Sequence, residues 1–190
     1  MDKTTTILYR GQGASKHKFG SGFYIKNTIF NHILDFEFIN ERIYKIRIHF
    51  KFYNETIVSV YASTEDRHRG IELALEKVCN CIPNYDMKFI LGNSNAKLGK
   101  ELFILYIQLV ESSLHNITNL NGKKLVDCAL GRNRVITGIW FEHKNIHMVT
   151  RFNQIDHNLI HIIHGRNIID VRSMRGSDIG SDHYLVNAID

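Results

Sequence analysis

The sequence predicts an α+β fold, a four-layer α/β/β/α sandwich in which two mostly antiparallel β-sheets pack together and are flanked by helices. Short segments of alternating or β-branched apolar residues recur along the chain and indicate many strands. Longer stretches with apolar residues at helical spacing interrupt the strands at two places. No regular strand–helix–strand rhythm, which would favour a parallel sheet, runs through the chain. At 190 residues we expect a single domain with its own core, over residues 1–190.

The elements of the first half follow from the side-chain pattern. Residues 42–50 (RIYKIRIHF) alternate apolar with charged side chains, which is typical of a half-buried strand. Residues 55–61 (ETIVSVY) are nearly continuously apolar and β-branched, as in a central strand. Apolar residues recur at helical spacing over residues 70–82, and Pro83 ends that helix. Further strands are predicted at residues 7–9, 22–25 and 88–91.

The second half is predicted to hold one helix and several strands. The helix covers residues 122–132, with Leu125, Val126 and Ala129 facing inward. The strands are predicted at residues 134–140, 154–163, 168–172 and 183–189.

Three histidines raise the question of a metal site. His157, His161 and His164 would share one face of a helix. In a strand, His157 and His161 share a face while His164 points the other way. Since we predict a strand here, we favour the interpretation without a metal.

Charge and hydropathy narrow the class of protein. The chain has 24 Lys and Arg against 19 Asp and Glu, a net charge of +5, which fits either a polyanion such as nucleic acid or ordinary solubility. Its longest apolar stretch, residues 102–110, is shorter than the roughly 20 residues of a membrane helix. Its first residues lack the apolar core of a signal peptide. We therefore expect an intracellular protein of the nucleus or cytoplasm, without a membrane partner.

Four polar segments stand at the ends of predicted strands, where loops present functional groups on a rigid frame. They are residues 61–65 (YASTE), 92–96 (GNSNA), 153–157 (NQIDH) and 177–184 (SDIGSDHY). Taken singly, each has a structural explanation as a strand-end aromatic, a turn or a surface carboxylate. The order and spacing of all four segments along the chain are a more specific signal of function than any one segment alone.

Taken together, these segments resemble the endonuclease/exonuclease/phosphatase superfamily. More narrowly, the chain is similar to the endonuclease domains of non-LTR retrotransposons and to craniofacial development protein 2-like proteins. YASTE resembles the YAPTE strand end of that group, and ILGNSNAKLGKE resembles (V/I)xGDFNAKxGxE. NQIDHNLI resembles NQIDHxLI, and VRSMRGSDIGSDHYLV resembles VRSxRGADIGSDHYLV. The resemblance extends from about Gly20 to the end of the chain.

The resemblance implies hydrolysis of a DNA phosphodiester by an activated water, with Mg²⁺ neutralising the phosphate charge. Tyr61 would then hydrogen-bond a phosphate oxygen, and Asn95 would donate to the phosphate. Asn93 stands at the position of the aspartate that orients or deprotonates the attacking water.

The remaining roles implied by the resemblance fall on the C-terminal segments. Asp156 would hold the imidazole of His183, and the protonated imidazole would stabilise the pentacovalent phosphate. Asp182 would be a direct or water-mediated metal ligand.

Three departures from the family pattern predict a degenerate enzyme. Asn93 is an amide, which can neither accept a proton nor carry the charge of a carboxylate. The family domain begins further upstream, so its first strands and the glutamate that anchors Mg²⁺ are expected to be missing at the N-terminus. The loop at residues 150–154 is also shortened.

From these departures we expect weakened Mg²⁺ binding, little or no nuclease activity, and weak, non-specific contact with DNA. Two alternatives stay open: an active Mg²⁺-dependent endonuclease, and a non-catalytic module that binds DNA or protein.

Overall fold

The computed structural model of the chain describes residues 4–9, 22–62, 69–102, 113–141, 154–174 and 185–189. The chain divides into two compact units. The first comprises Met1–Ala62 and Asp66–Leu91, and the second comprises Ser63–Glu65 and Gly92–Asp190.

The first unit is built on an antiparallel meander to which one parallel strand is added. Its elements are β1 (Thr5–Tyr9), β2 (Gly22–Lys26), α1 (Asn27–Phe30), β3 (Ile33–Asn40), β4 (Ile43–His49), β5 (Asn54–Val60), α2 (Arg69–Cys81) and β6 (Met87–Leu91). Strands β3, β4 and β5 pair antiparallel in chain order. The helix α2 lies in the connection that allows β6 to pair parallel with β5. Strands β1 and β2 form a separate antiparallel pair.

The core of the first unit joins the β1–β2 pair to the sheet. Ile25 of β2 packs with Ile46 and Ile48 of β4, and all three side chains are at most 7% exposed. Phe23 of β2 meets Phe36 of β3 edge to face, with ring centroids 6.3 Å apart. Each isoleucine buried in this way contributes about 1.5–3 kcal/mol to stability.

A buried ion pair fixes the loop that precedes β6. Arg47 donates from Nε and Nη2 to the two oxygens of Asp86, at 2.7 and 2.9 Å. Thr56 donates from Oγ1 to the same carboxylate at 2.7 Å. Burial alone would raise the pKa of Asp86, but the hydrogen bonds from Arg47 and Thr56 outweigh burial and hold the pKa below its usual value.

The second unit carries shorter elements joined by longer loops. They are α3 (Leu120–Leu130), β7 (Arg134–Ile136), a 3₁₀ turn (Thr137–Ile139), β8 (Leu159–His161), α4 (Ile162–Gly165), β9 (Asp170–Met174) and β10 (Leu185–Ile189). Strand β7 pairs antiparallel with β8, and β9 pairs antiparallel with β10.

Most of the elements predicted from the sequence lie within about two residues of their predicted positions. Strand β3 was not predicted, because register shifts at both of its ends interrupt the alternation of its side chains.

Two predicted strands are shorter in the structure. The segment 134–140 is extended only to Ile136, since Thr137 bonds to the carbonyl of Asn158 and starts a 3₁₀ turn. The segment 154–163 is a strand only over Leu159–His161.

The histidines that raised the question of a metal site lie in different elements, with His161 at the end of β8 and His164 in α4. His161 accepts a hydrogen bond on Nδ1 from the backbone of Ile163 and so caps α4. His157 is buried elsewhere, as described below, and no group of three potential metal-binding side chains occurs among the residues that the structure describes. Within the same residues, no helix is long and apolar enough to cross a membrane.

Candidate functional site

Two segments of the second unit that the sequence singled out lie against each other. We call residues 92–96 the asparagine loop and residues 154–158 the aspartate segment. Asn93 and Asp156 face each other in an isolated antiparallel bridge. Ser94 donates to the carbonyl of Ile155 from its backbone N at 3.2 Å and from its hydroxyl at 2.9 Å. Opposed residues in such a bridge have Cα atoms about 4.5–5.5 Å apart, so Asn93 and Asp156 are neighbours across the two segments.

The asparagine loop owes its shape to its own side chains. The Oδ1 atom of Asn93 accepts a hydrogen bond from the backbone N of Asn95 at 2.8 Å, which closes an Asx turn. Asn95 has a φ of 47° and Gly92 a φ of 130°. These left-handed conformations are the ones that asparagine and glycine tolerate best, which explains the composition of the loop.

Two asparagines at the start of α3 fix the loop from outside. Asn119 donates from Nδ2 to the carbonyl of Asn95 at 3.0 Å, while its Oδ1 accepts from the backbone N atoms of Lys97 and Gly122 at 2.9 and 2.8 Å. Asn121 also donates to the carbonyl of Asn95, at 3.4 Å. One side chain thus caps the helix and positions the loop.

Neither asparagine was predicted as a site residue. The preference for asparagine immediately before a helix was the available signal. For Asn119 this signal was missed because the helix was predicted to begin at Gly122, whereas α3 begins at Leu120 and Asn119 is its cap.

His157 ties the aspartate segment to the asparagine loop. Its side chain is 2% exposed, and its Nε2 lies 2.9 Å from the carbonyl oxygen of Ala96. Burial lowers the pKa of His157 to about 4, so the ring is neutral at pH 7. Because a carbonyl can only accept, Nε2 carries the proton and donates it. The other nitrogen, Nδ1, has no hydrogen-bond partner among the described residues.

Gln154 anchors the beginning of the aspartate segment. It is 4% exposed and donates from its side-chain Nε2 to the carbonyl of Gly138 at 3.1 Å. Its backbone N donates to Nε2 of His115 at 3.3 Å. Burial lowers the pKa of His115, which keeps this ring in the neutral form that can accept.

The structure brings together Asn93, Asn95 and Asp156 in the second unit. Tyr61 follows β5 in the first unit, where its ring is 39% exposed and lies 5.6 Å from the guanidinium carbon of Arg42. Asp182 and His183 lie outside the described residues.

The asparagine loop and the aspartate segment supply only part of the magnesium site that the sequence predicted. Protein Mg²⁺ sites take one or two carboxylates and complete the octahedron with water and substrate phosphate. The bridge between the asparagine loop and the aspartate segment presents the carboxylate of Asp156, whereas Asn93 offers only an amide oxygen, already used in the Asx turn. The described residues therefore do not form the metal site by themselves, and its predicted ligand, Asp182, lies outside them.

Known proteins resemble the chain both in sequence and in fold. No protein-family model matches the chain. Craniofacial development protein 2 from Bos taurus is 25% identical over 193 residues, which cover 96% of this chain and 32% of that protein. Its counterpart from Tragulus javanicus is also 25% identical, with 33% of its length covered. The chain thus spans about a third of the length of the curated relatives it matches.

Solved nucleases share the fold. The endonuclease domain of TRAS1, a telomere-specific non-LTR retrotransposon, superposes with a TM-score of 0.67 at 16% identity, over 98% of this chain and 79% of that one. The 3'-5' exonuclease NExo from Neisseria meningitidis gives a TM-score of 0.66 at 14% identity, over 97% and 79% of the two chains. The chain has the α+β fold of these proteins, and both the predicted fold class and the predicted resemblance are confirmed.

Proposed function

We propose that this chain, which has the fold of DNA-processing nucleases, contacts DNA at the asparagine loop and has its phosphodiester hydrolysis impaired at Asn93. The fold supports the class of chemistry. A structure of the Neisseria protein as a 3' phosphatase bound to a product DNA hairpin, which superposes with a TM-score of 0.67, supports DNA as the polymer that is contacted.

The observation that carries the proposal is the hydrogen bond of Asn93. Its Oδ1 makes the Asx turn to the backbone of Asn95 at 2.8 Å. An aspartate would make the same turn with one oxygen and keep a second oxygen to orient water and accept its proton. In asparagine the second atom is an NH₂ group, which only donates. The amide therefore preserves the loop and removes the base.

The remaining roles extend the same proposal. The side chain of Asn95 donates to a phosphate oxygen. Asn119 and Asn121 hold the backbone of Asn95 in place through its carbonyl. Tyr61 donates to a phosphate oxygen, and Asp156 orients His183, which stabilises the phosphate in its pentacovalent form. Asp182 would hold Mg²⁺, which would supply charge neutralisation, and we expect that binding to be weak.

Hydrolysis is tested with the purified 190-residue polypeptide, supercoiled plasmid and a duplex that contains an abasic site. In Mg²⁺ we expect nicking no faster than that of an Asp182→Ala variant, with circular dichroism showing that both are folded. Metal-dependent nicking by the unchanged chain that His183→Ala abolishes would overturn the proposal in favour of an active endonuclease.

DNA contact is tested separately, by fluorescence anisotropy of a labelled duplex. We expect weak binding without sequence preference that falls as salt rises, because counterions are released from the phosphates. Asn95→Ala should weaken binding at least about tenfold, since a hydrogen bond to a charged group contributes roughly 1.5–3 kcal/mol. The control is Asn116→Ala, an exposed asparagine outside the loop. Equal affinities for the two variants would count against Asn95 as a phosphate donor.

A further inference from the structure

Exposed aromatic rings gather at one edge of the first unit. We call this group, Phe52, Tyr53 and Tyr85 with Arg47 and Lys51, the aromatic edge. Phe52 is 84% exposed, Tyr85 73% and Tyr53 40%. Large aromatic side chains contribute most when they are buried, so this degree of exposure calls for an explanation beyond the stability of the unit.

The sheet topology brings these residues to the same edge. Phe52 and Tyr53 lie in the turn between β4 and β5, and Tyr85 lies just before β6. Because β5 and β6 run parallel, with Glu55 opposite Met87, both strands begin at this edge. Tyr61 follows the other end of β5, about 20 Å away at the usual rise per residue. The aromatic edge is therefore separate from Tyr61.

Each of the most exposed rings is accompanied by a cation. The Nζ atom of Lys51 lies 5.1 Å from the ring centroid of Phe52. The guanidinium carbon of Arg47 lies 5.7 Å from the ring centroid of Tyr85, and Nη2 of Arg47 donates to the Tyr85 hydroxyl at 3.4 Å. Since Asp86 holds the same guanidinium in place, the position of Tyr85 is fixed before any partner binds.

The carboxylates at the start of β5 and just before β6 do not reach the surface. The side chain of Asp86 has no exposed area, and both of its oxygens are occupied by Arg47 and Thr56. Glu55, the first acidic residue of β5, is 6% exposed. Lys51, by contrast, is exposed. Asp35, opposite Arg47 on β3, is half-exposed and pairs with Lys45 at 3.3 Å. The exposed charge in the turn that carries Phe52 is therefore the positive charge of Lys51.

We infer that the aromatic edge is a stacking platform for single-stranded nucleic acid. Flat rings on the surface accept unpaired bases of any sequence, and adjacent cations attract the phosphates between those bases. A protein-binding patch is usually a contiguous apolar area with a polar rim, whereas here the two most exposed rings, Phe52 and Tyr85, each have a cation beside them. This inference does not rest on the proposed function, because it involves neither the asparagine loop nor a metal.

The test is fluorescence anisotropy with short labelled oligothymidylate and oligouridylate, at low salt and with a chelator present. We expect binding of one or both strands, and we expect the double variant Phe52→Ala/Tyr85→Ala to raise Kd about tenfold or more. Lys51→Gln should reduce the dependence of binding on salt. The matched control is Tyr24→Ala, which removes a ring that is 68% exposed on β2 and should leave Kd within about twofold.

Two results would overturn the inference. One is an unchanged Kd in the double variant, or a loss in Tyr24→Ala as large as in the double variant. The other is the absence of binding to both oligonucleotides by the folded wild-type chain, which would assign the aromatic edge to a protein partner instead. Circular dichroism of each variant ensures that a lost affinity is not a lost fold.

Discussion

Replacing Asn119 by alanine should destabilise the second unit far more than replacing an exposed asparagine. The side chain of Asn119 makes three hydrogen bonds, to the carbonyl of Asn95 and from the backbone N atoms of Lys97 and Gly122. Each contributes about 1 kcal/mol net, and the helix cap is one of them. We therefore expect Asn119→Ala to lower the free energy of unfolding by about 3 kcal/mol.

Urea denaturation followed by circular dichroism measures this loss. With a slope of about 2 kcal/mol per molar urea, 3 kcal/mol shifts the midpoint by about 1.5 M. The matched control is Asn116→Ala, because Asn116 is exposed and an exposed substitution of this kind changes stability by no more than about 0.5 kcal/mol.

A third variant separates the bonds from one another. Asn119→Asp keeps the oxygen that accepts from Lys97 and Gly122 but loses the donor to Asn95. Because its second oxygen then faces the carbonyl oxygen of Asn95, the variant should cost at least about 1 kcal/mol. If Asn119→Ala unfolds at the same urea concentration as Asn116→Ala, the claim that this side chain positions the asparagine loop is refuted.

Further predictions concern buried groups. The pKa of His157 is about 4 in the folded chain, against the usual 6.5. Between these pH values only the unfolded chain binds a proton on this side chain. The free energy of unfolding should therefore fall by up to about 3 kcal/mol from pH 6.5 to pH 4. His157→Gln should reduce this fall, and an identical pH profile would contradict the assignment. A methyl group at Gly122 would collide with the carbonyl oxygen of Lys97. Gly122→Ala should therefore lower the free energy of unfolding by about 2 kcal/mol, despite the helix preference of alanine. A melting temperature of the variant at or above that of wild type would be incompatible with this packing. Asp86→Asn leaves Arg47 without its carboxylate and should lower the free energy of unfolding by about 3 kcal/mol at pH 7. The difference in stability between wild type and variant should narrow as the pH falls below 3.8, the usual pKa of this carboxyl, and on through the lower pKa that Asp86 has in the folded chain. Equal stability of Asp86→Asn and wild type at pH 7 would disprove the contribution of that ion pair.

How well the sequence predicted an element depended on where the element lies. Strands β4 and β5 have neighbours on both sides, and their buried side chains produce the apolar patterns that were recognised. Strand β3 pairs with β4 and is bulged, so its alternation is interrupted. The predicted strand at 154–163 failed over its first residues because the backbone there pairs with the asparagine loop, far away in the chain.

The sequence predicted the motifs of the candidate site but not the residues that hold those motifs in place. The order of the segments around Asn93, Asn95 and Asp156 predicted these three as site residues, and the structure has Asn93 and Asp156 opposite each other. The roles of Asn119 and His157 in holding them were not predictable, since both act on carbonyl oxygens more than 20 positions away.

The sequence by itself determined the α+β class, the resemblance to nucleases and the amide at Asn93, because apolar periodicity, motif order and side-chain chemistry are local properties of the chain. Only the tertiary structure decided that the oxygen of this amide closes the Asx turn of the asparagine loop and that Asn119 holds the loop to α3. It also decided that the rings of the aromatic edge lie at the start of neighbouring strands. These arrangements depend on which distant segments meet, and hydrogen bonds between distant segments form only after the chain has packed.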